Sequence, residues 1–152
     1  MQYVCIMSSN EECALDVTKK LANMEYQENP IWSTRRTPTT EVLSELKYSE
    51  NLEANKMIHL ETKDGVKYGI LKPIGHKKYT SCVTIQQFKK IRELYKNQVK
   101  GVYIGQQAQD GSSIISNSDK ELLNKNNVIV LMCKRNDDTN SILAEILKQL
   151  KY

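Results

Sequence analysis

The residue pattern predicts an α/β fold: a mostly parallel central sheet flanked by helices, with an antiparallel β-hairpin as an appendage. Three observations carry that expectation. Short apolar runs alternate with stretches of helical period, as βαβ crossovers require. The run Val128-Ile129-Val130-Leu131-Met132-Cys133 is continuously apolar, the mark of a strand buried on both faces. Lys63-Asp64-Gly65 separates the strand-like stretches Met57 to Thr62 and Val66 to Leu71, and Asp-Gly favours the positive-φ turn of a tight hairpin.

The elements follow in order. Tyr3 to Met7 reads as a strand, Ser8-Ser9-Asn10 as its turn, and Ala14, Val17, Leu21 and Met24 as the apolar face of a helix. After the loop Gln27-Glu28-Asn29-Pro30, Ile31-Trp32-Ser33 forms a second short strand. It places Arg35 and Arg36 at a strand end. The segment Lys72 to Tyr79 is basic and reads as a solvated loop, with phosphate contact through Lys72 and His76 as the alternative. Thr84-Ile85-Gln86-Gln87 has capping-box form, followed by Phe88, Ile91 and Tyr95 at helical spacing and then the strand Val99 to Ile104. Gln106, Gln107 and Gln109 continue it as a polar loop, or as amides for a base or peptide backbone. Ser118 to Leu123 offers another capped turn. Ile142, Leu143, Ile146, Leu147 and Leu150 form an amphipathic stripe of about nine residues, too short for an independent coiled coil, so it is expected to pack on the sheet. Self-association through that stripe is the alternative.

Composition bounds the function. With 152 residues, 39% of them hydrophobic, the chain has the size of one domain, 1–152, with a real core. No stretch approaches the roughly 20 apolar residues of a membrane span, and the first residues do not form a signal peptide, so no membrane association and a cytoplasmic location are expected. The net charge of +4 is spread along the chain without a basic block, which argues against nucleic acid. The cysteines at 5, 13, 82 and 133 show no paired spacing and only two histidines are present. Buried thiols and no metal site are expected. Heavy use of Asn, Lys and Ile hints at an AT-rich genome, viral or mobile-element in origin.

Three stretches then stand in a familiar order: Tyr3-Val4-Cys5-Ile6 before a helix, Ser33-Thr34-Arg35-Arg36-Thr37-Pro38-Thr39-Thr40-Glu41, and Lys67-Tyr68-Gly69. With them the chain resembles a shortened guanylate kinase, and the closing strand, Asp137-Asp138 and last helix keep that family's order too. The resemblance implies the phosphate-loop kinase topology. It also implies a monophosphate site, in which the family uses a Ser-Thr-Thr-Arg-x-Pro-Arg-x-Gly-Glu segment and a hairpin Tyr-Gly pair. Arg35, Glu41 and Tyr68 match those positions.

The departures are as informative. A phosphate loop needs glycines so that backbone N–H groups converge on phosphate, a Lys to neutralise it, and a hydroxyl for magnesium. Here the stretch is Ser8-Ser9-Asn10-Glu11-Glu12-Cys13-Ala14, with no glycine, Cys13 near the Lys position and Ala14 without a hydroxyl. Ser9 and Glu12 have capping-box spacing, which closes the helix start with its own side chains. The second monophosphate arginine falls on Pro38. The strand-end acid falls near Gly105-Gln106-Gln107, and the segment 111–127 that would be the lid holds only Lys120 and Lys125 as cations. His59 lies near the place of the guanine-recognising glutamate, and an imidazole cannot accept two N–H donors.

The expected ligand residues are therefore Arg35, Arg36, Glu41, His59, Tyr68 and Lys72, with no catalytic residue, metal or cofactor. For the two arginines the alternative is a salt bridge to Glu41 or Glu45. The expected function is an inactive guanylate-kinase-like module acting through a protein partner. The alternatives are a protein holding a mono- or cyclic nucleotide through Arg35 and Arg36, and a residual nucleoside monophosphate kinase.

Overall fold

Two cores on opposite faces of one strand organise the molecule, and the strand is β1, Gln2–Ser8. The structure, a computed structural model, describes residues 1–75, 77–106, 116–133 and 139–150. Period-two alternation along β1 sends Tyr3, Cys5 and Met7 to one core and Val4 and Ile6 to the other. All five are at most 1% exposed. β1 is therefore a central strand.

It lies in a parallel sheet of order β2-β7-β1-β8-β9, in which β2 is Gln27–Glu28, β7 is Lys78–Cys82, β8 is Val99–Gln106 and β9 is Ile129–Cys133. Helices α1 (Glu11–Ala22) and α5 (Thr139–Leu150) cover one face, where Ala14, Val17, Leu21, Ile142 and Ile146 meet Val4, Ile6, Val102 and Ile104. The expected packing of the last apolar stripe on the sheet is what forms. Helix α3, Ile85–Tyr95, covers the other face with Phe88 and Ile91, beside Leu123 of α4, Asn117–Lys125. Gly101 allows that approach: a Cβ there would stand 2.7 Å from the Phe88 ring.

A second sheet, of order β4-β3-β6-β5, joins β3 (Trp32–Ser33), β4 (Glu41–Val42), β5 (Met57–Lys63) and β6 (Val66–Leu71). The hairpin β5–β6 forms as the sequence predicts, with Asp64 at φ 52° and Gly65 at φ 78°. It is not an isolated appendage, because β3 pairs antiparallel with β6 and Leu60 and Ile70 join the core that holds Tyr3. Asn29 fastens the two sheets. Its Nδ2 donates to the Tyr3 hydroxyl and to the Leu71 carbonyl, each at 3.1 Å, while Tyr3 donates to Ser81 at 2.5 Å and Ser81 to the Asn29 carbonyl.

Several expectations are corrected. The α1 cap is Asn10, which accepts the Cys13 N–H, so the Ser9–Glu12 capping box does not form. Ser116, not Ser118, caps α4. Strand β9 lies at the sheet edge with Val130 42% exposed, so its apolar run is not buried on both faces. β7 begins inside the segment read as a solvated loop, and Tyr79 is buried. Helix α2, Glu45–Glu53, escaped the pattern because Tyr48 is its one buried residue, which leaves no apolar stripe to detect. Among the described residues no helix is long and apolar enough to cross a membrane.

Candidate functional site

The carboxyl ends of β1 and β7 open into a cleft of about 620 Å³, within the range of small-molecule sites. Its position is the one where open α/β sheets place ligands. The floor comes from Met7, Ser8 and Ser9 after β1 and from Cys82 and Val83 after β7. One wall is the start of α3, with Thr84, Ile85, Gln86 and Gln87. The facing wall is the second sheet, with Thr37, Thr39 and Thr40 from the β3–β4 loop and Glu61, Lys63 and Tyr68 from the hairpin. Glu11, Tyr103 and Asp119 complete it.

Local hydrogen bonds hold these groups in place. The α3 capping box forms as predicted: Thr84 Oγ1 accepts the Gln87 N–H at 3.1 Å, and Gln87 Oε1 accepts the Thr84 N–H at 3.0 Å. Gln87 Nε2 in turn donates to Glu61 Oε1 at 3.1 Å, linking the two walls. In the β3–β4 loop, buried Ser33 donates to the Arg35 carbonyl at 2.6 Å, and Thr40 and Thr37 hydroxyls chain onto it at 2.6 and 2.5 Å. Ser8 Oγ donates to the Ile104 carbonyl at 2.7 Å and accepts the Asn10 N–H at 3.1 Å. The turn into α1 is thereby closed by its own side chains, through Asn10 and Ser8.

Among the described residues the cleft lining is acidic, with Glu11, Glu61 and Asp119 against Lys63. Both Glu11 and Glu12 are exposed, and of the two Glu11 lines the cleft. Cys82 has its thiol pushed up to about 12, first by burial and then by Glu11 and Glu28, so at neutral pH it is no thiolate nucleophile. Among the described residues no group of His, Cys, Asp and Glu is arranged to hold a metal ion.

The six expected ligand residues do not converge. Tyr68 lines the cleft. Arg36 and Glu41 line a neighbouring shallow depression with Thr37, Pro38, Thr40 and Val42, and Thr37 and Thr40 border both spaces. Arg35 is exposed, and neither arginine side chain has a hydrogen bond or ion pair, so the salt bridge to Glu41 or Glu45 is not formed. Lys72 stands at the far end of the hairpin, where it bonds Asn55. His59 is engaged with the Tyr48 hydroxyl at 2.7 Å through Nδ1 and with Thr62 at 3.2 Å through Nε2. Burial, then Lys67 and Lys90, hold it below the ordinary histidine value, with Glu61 opposing. His76, Gln107, Gln109, Asp137 and Asp138, and the side chains of Gln106 and Cys133, lie outside the described residues.

Glu61 is a cleft-lining carboxylate that sequence reasoning missed. A β-bulge shifts the register between His59 and Glu61, so that Glu61 stands opposite Tyr68 and both border the cleft. The bulge inserts one residue, Leu60, so that Glu61 rather than Leu60 is the partner of Tyr68.

No family model and no curated protein matches the chain. By structure the chain is similar to the crystal structure of guanylate kinase from Anaplasma phagocytophilum, with a TM-score of 0.64 and 11% identity over 99% of this chain and 84% of that one. At that identity the likeness establishes a guanylate-kinase-like fold and no more.

Proposed function

We propose that the chain is a non-catalytic binding module on a guanylate-kinase-like fold, which holds a nucleoside or nucleoside monophosphate in its cleft and does not transfer phosphate. One observation carries the reading: the turn from β1 into α1 is capped by Asn10, and the first helical turn presents Glu11 to the cleft. Phosphoryl transfer is chiefly positioning and charge neutralisation. A carboxylate about 4 Å from a phosphate charge costs on the order of 4 kcal/mol in a surface-like dielectric, and Lys63 is the one cation in the described lining.

The other end of the cleft suits a base. Glu61 offers a pair of acceptors to N–H donors, Gln87 offers an amide, and Tyr68 offers an aromatic face. A phosphate beyond Thr37 and Thr40 would reach Arg36, whose guanidinium is unpaired. Calorimetry with guanosine, mononucleotides and cyclic nucleotides tests this, beside an assay of phosphate transfer from ATP. Binding of a mononucleotide is expected, weakened about tenfold by Glu61→Gln or Arg36→Ala, with no transfer above background. Turnover at roughly 1–100 s⁻¹, or no heat with any nucleotide at millimolar concentration, would sink the proposal.

Action through a protein partner is the second reading. It is favoured by the outer edge of the second sheet, where Val42 is 44% exposed and Leu46 of α2 is 69% exposed. The viral or mobile-element origin and the cytoplasmic location rest on composition and sequence pattern alone.

A further inference from the structure

The amino ends of the parallel strands hold a second depression, at the opposite pole from the cleft. It measures about 330 Å³ and is lined by Arg92, Asn97, Lys100, Asn127, Ile129 and Gln149. The chain reaches it four times: at the end of α3 and the 3₁₀ turn Lys96–Gln98 that follows, at the start of β8, in the turn into β9, and in the last turn of α5. Among the described residues its polar lining is a guanidinium, an ammonium and three primary amides, without a carboxylate.

The two cations differ in how they are held. Arg92 donates Nη1 to the Val99 carbonyl, which fixes the guanidinium and leaves its remaining N–H groups to other acceptors. Lys100 is half-buried and has no ion pair or hydrogen bond. Of the amides, Gln149 Nε2 donates to Glu145 at 3.0 Å, and Asn97 and Asn127 are exposed. Sequence neighbours of the lining residues add Lys96, Lys125 and Lys148, against Glu93 and Glu145. A partly desolvated ammonium without a counter-charge gains from an anion, and two cations beside amide donors match a dianion with several oxygens.

We propose that this depression binds a phosphate group, carried either by a free phosphate compound or by a nucleic-acid backbone. The site is independent of the cleft and of the reading given for it. The test is NMR titration of the labelled protein with inorganic pyrophosphate, in parallel with a short single-stranded oligonucleotide. Pyrophosphate is expected to shift the amides of Arg92, Asn97, Lys100 and Asn127. Lys100→Glu should weaken binding about tenfold or more, and Asn97→Asp, on an exposed turn, a few-fold. Both variants should keep the thermal midpoint and the nucleotide affinity of the cleft. Oligonucleotide binding that depends on Lys100 and falls steeply with salt identifies a nucleic-acid backbone as the source; pyrophosphate binding alone identifies a free phosphate compound. No shift at millimolar pyrophosphate, shifts confined to Ser8 and Thr84 in the cleft, or unchanged binding by both variants overturns the proposal.

Discussion

The two ends of the parallel sheet carry opposite charge. At the carboxyl ends the cleft lining holds Glu11, Glu61 and Asp119 against Lys63. At the amino ends the described lining of the depression holds Arg92 and Lys100 and no carboxylate. Much of this follows from helix dipoles. Crossover helices run against the strands, so their starts meet the cleft and their ends meet the other pole. First-turn acids (Glu11 in α1, Asp119 in α4) and last-turn bases (Arg92 in α3, Lys125 in α4, Lys148 in α5) suit that arrangement. Glu61 and Lys100 are different. They sit on strands, where no helix dipole calls for them, and they are the charges on which the two proposed sites rest.

Helix α3 runs from one pole to the other, so it supplies the sharpest test of how far the two are separable. Phe88 is fully buried beneath it. Phe88→Ala should cost about 3–5 kcal/mol of stability, seen in urea denaturation, and should weaken ligand binding at both poles. Loss confined to one pole would mean that α3 does not couple them.

Thr84→Ala acts at one end only. Removing the cap and its reciprocal bond with Gln87 should cost about 1 kcal/mol and loosen Gln87 from Glu61. Calorimetry should then show weaker nucleotide binding in the cleft and unchanged pyrophosphate binding at the other pole. An equal effect at both would erase the distinction.

The smallest expected effect is a pH dependence on the cleft side. His59 is held below its ordinary value in the folded protein, so the unfolded chain binds the proton more readily. Its contribution to stability is therefore full above about pH 6.5 and is lost as the pH falls from there through the lowered folded value. Tyr48, whose hydroxyl is pushed up to about 12 by burial, stays neutral throughout and keeps α2 bonded to His59. Thermal midpoints of the wild type and His59→Gln at pH 7.5 and pH 5 (both on the order of a unit from that value) read this out. The wild type should lose more on acidification, and equal losses would remove His59 from the account.

The sequence by itself determined the local structure. The apolar run Tyr3 to Met7 made β1, Asp64-Gly65 turned the hairpin, and Thr84 with Gln87 started α3, because each depends on residues within one turn or one short run of each other. The missing glycines after β1 were equally readable, and so was Tyr68. What only the tertiary structure decided was everything set by pairing across the chain. β9 reads as a buried strand but lies at an edge, since apolar content does not reveal strand order. The bulge that puts Glu61 opposite Tyr68 exists only against β6. Lys100 and Gln149 are 49 positions apart in the chain and line one depression. Charge spread along the sequence argued against nucleic acid; folding gathers some of it, because every crossover returns the chain to the same end of the sheet.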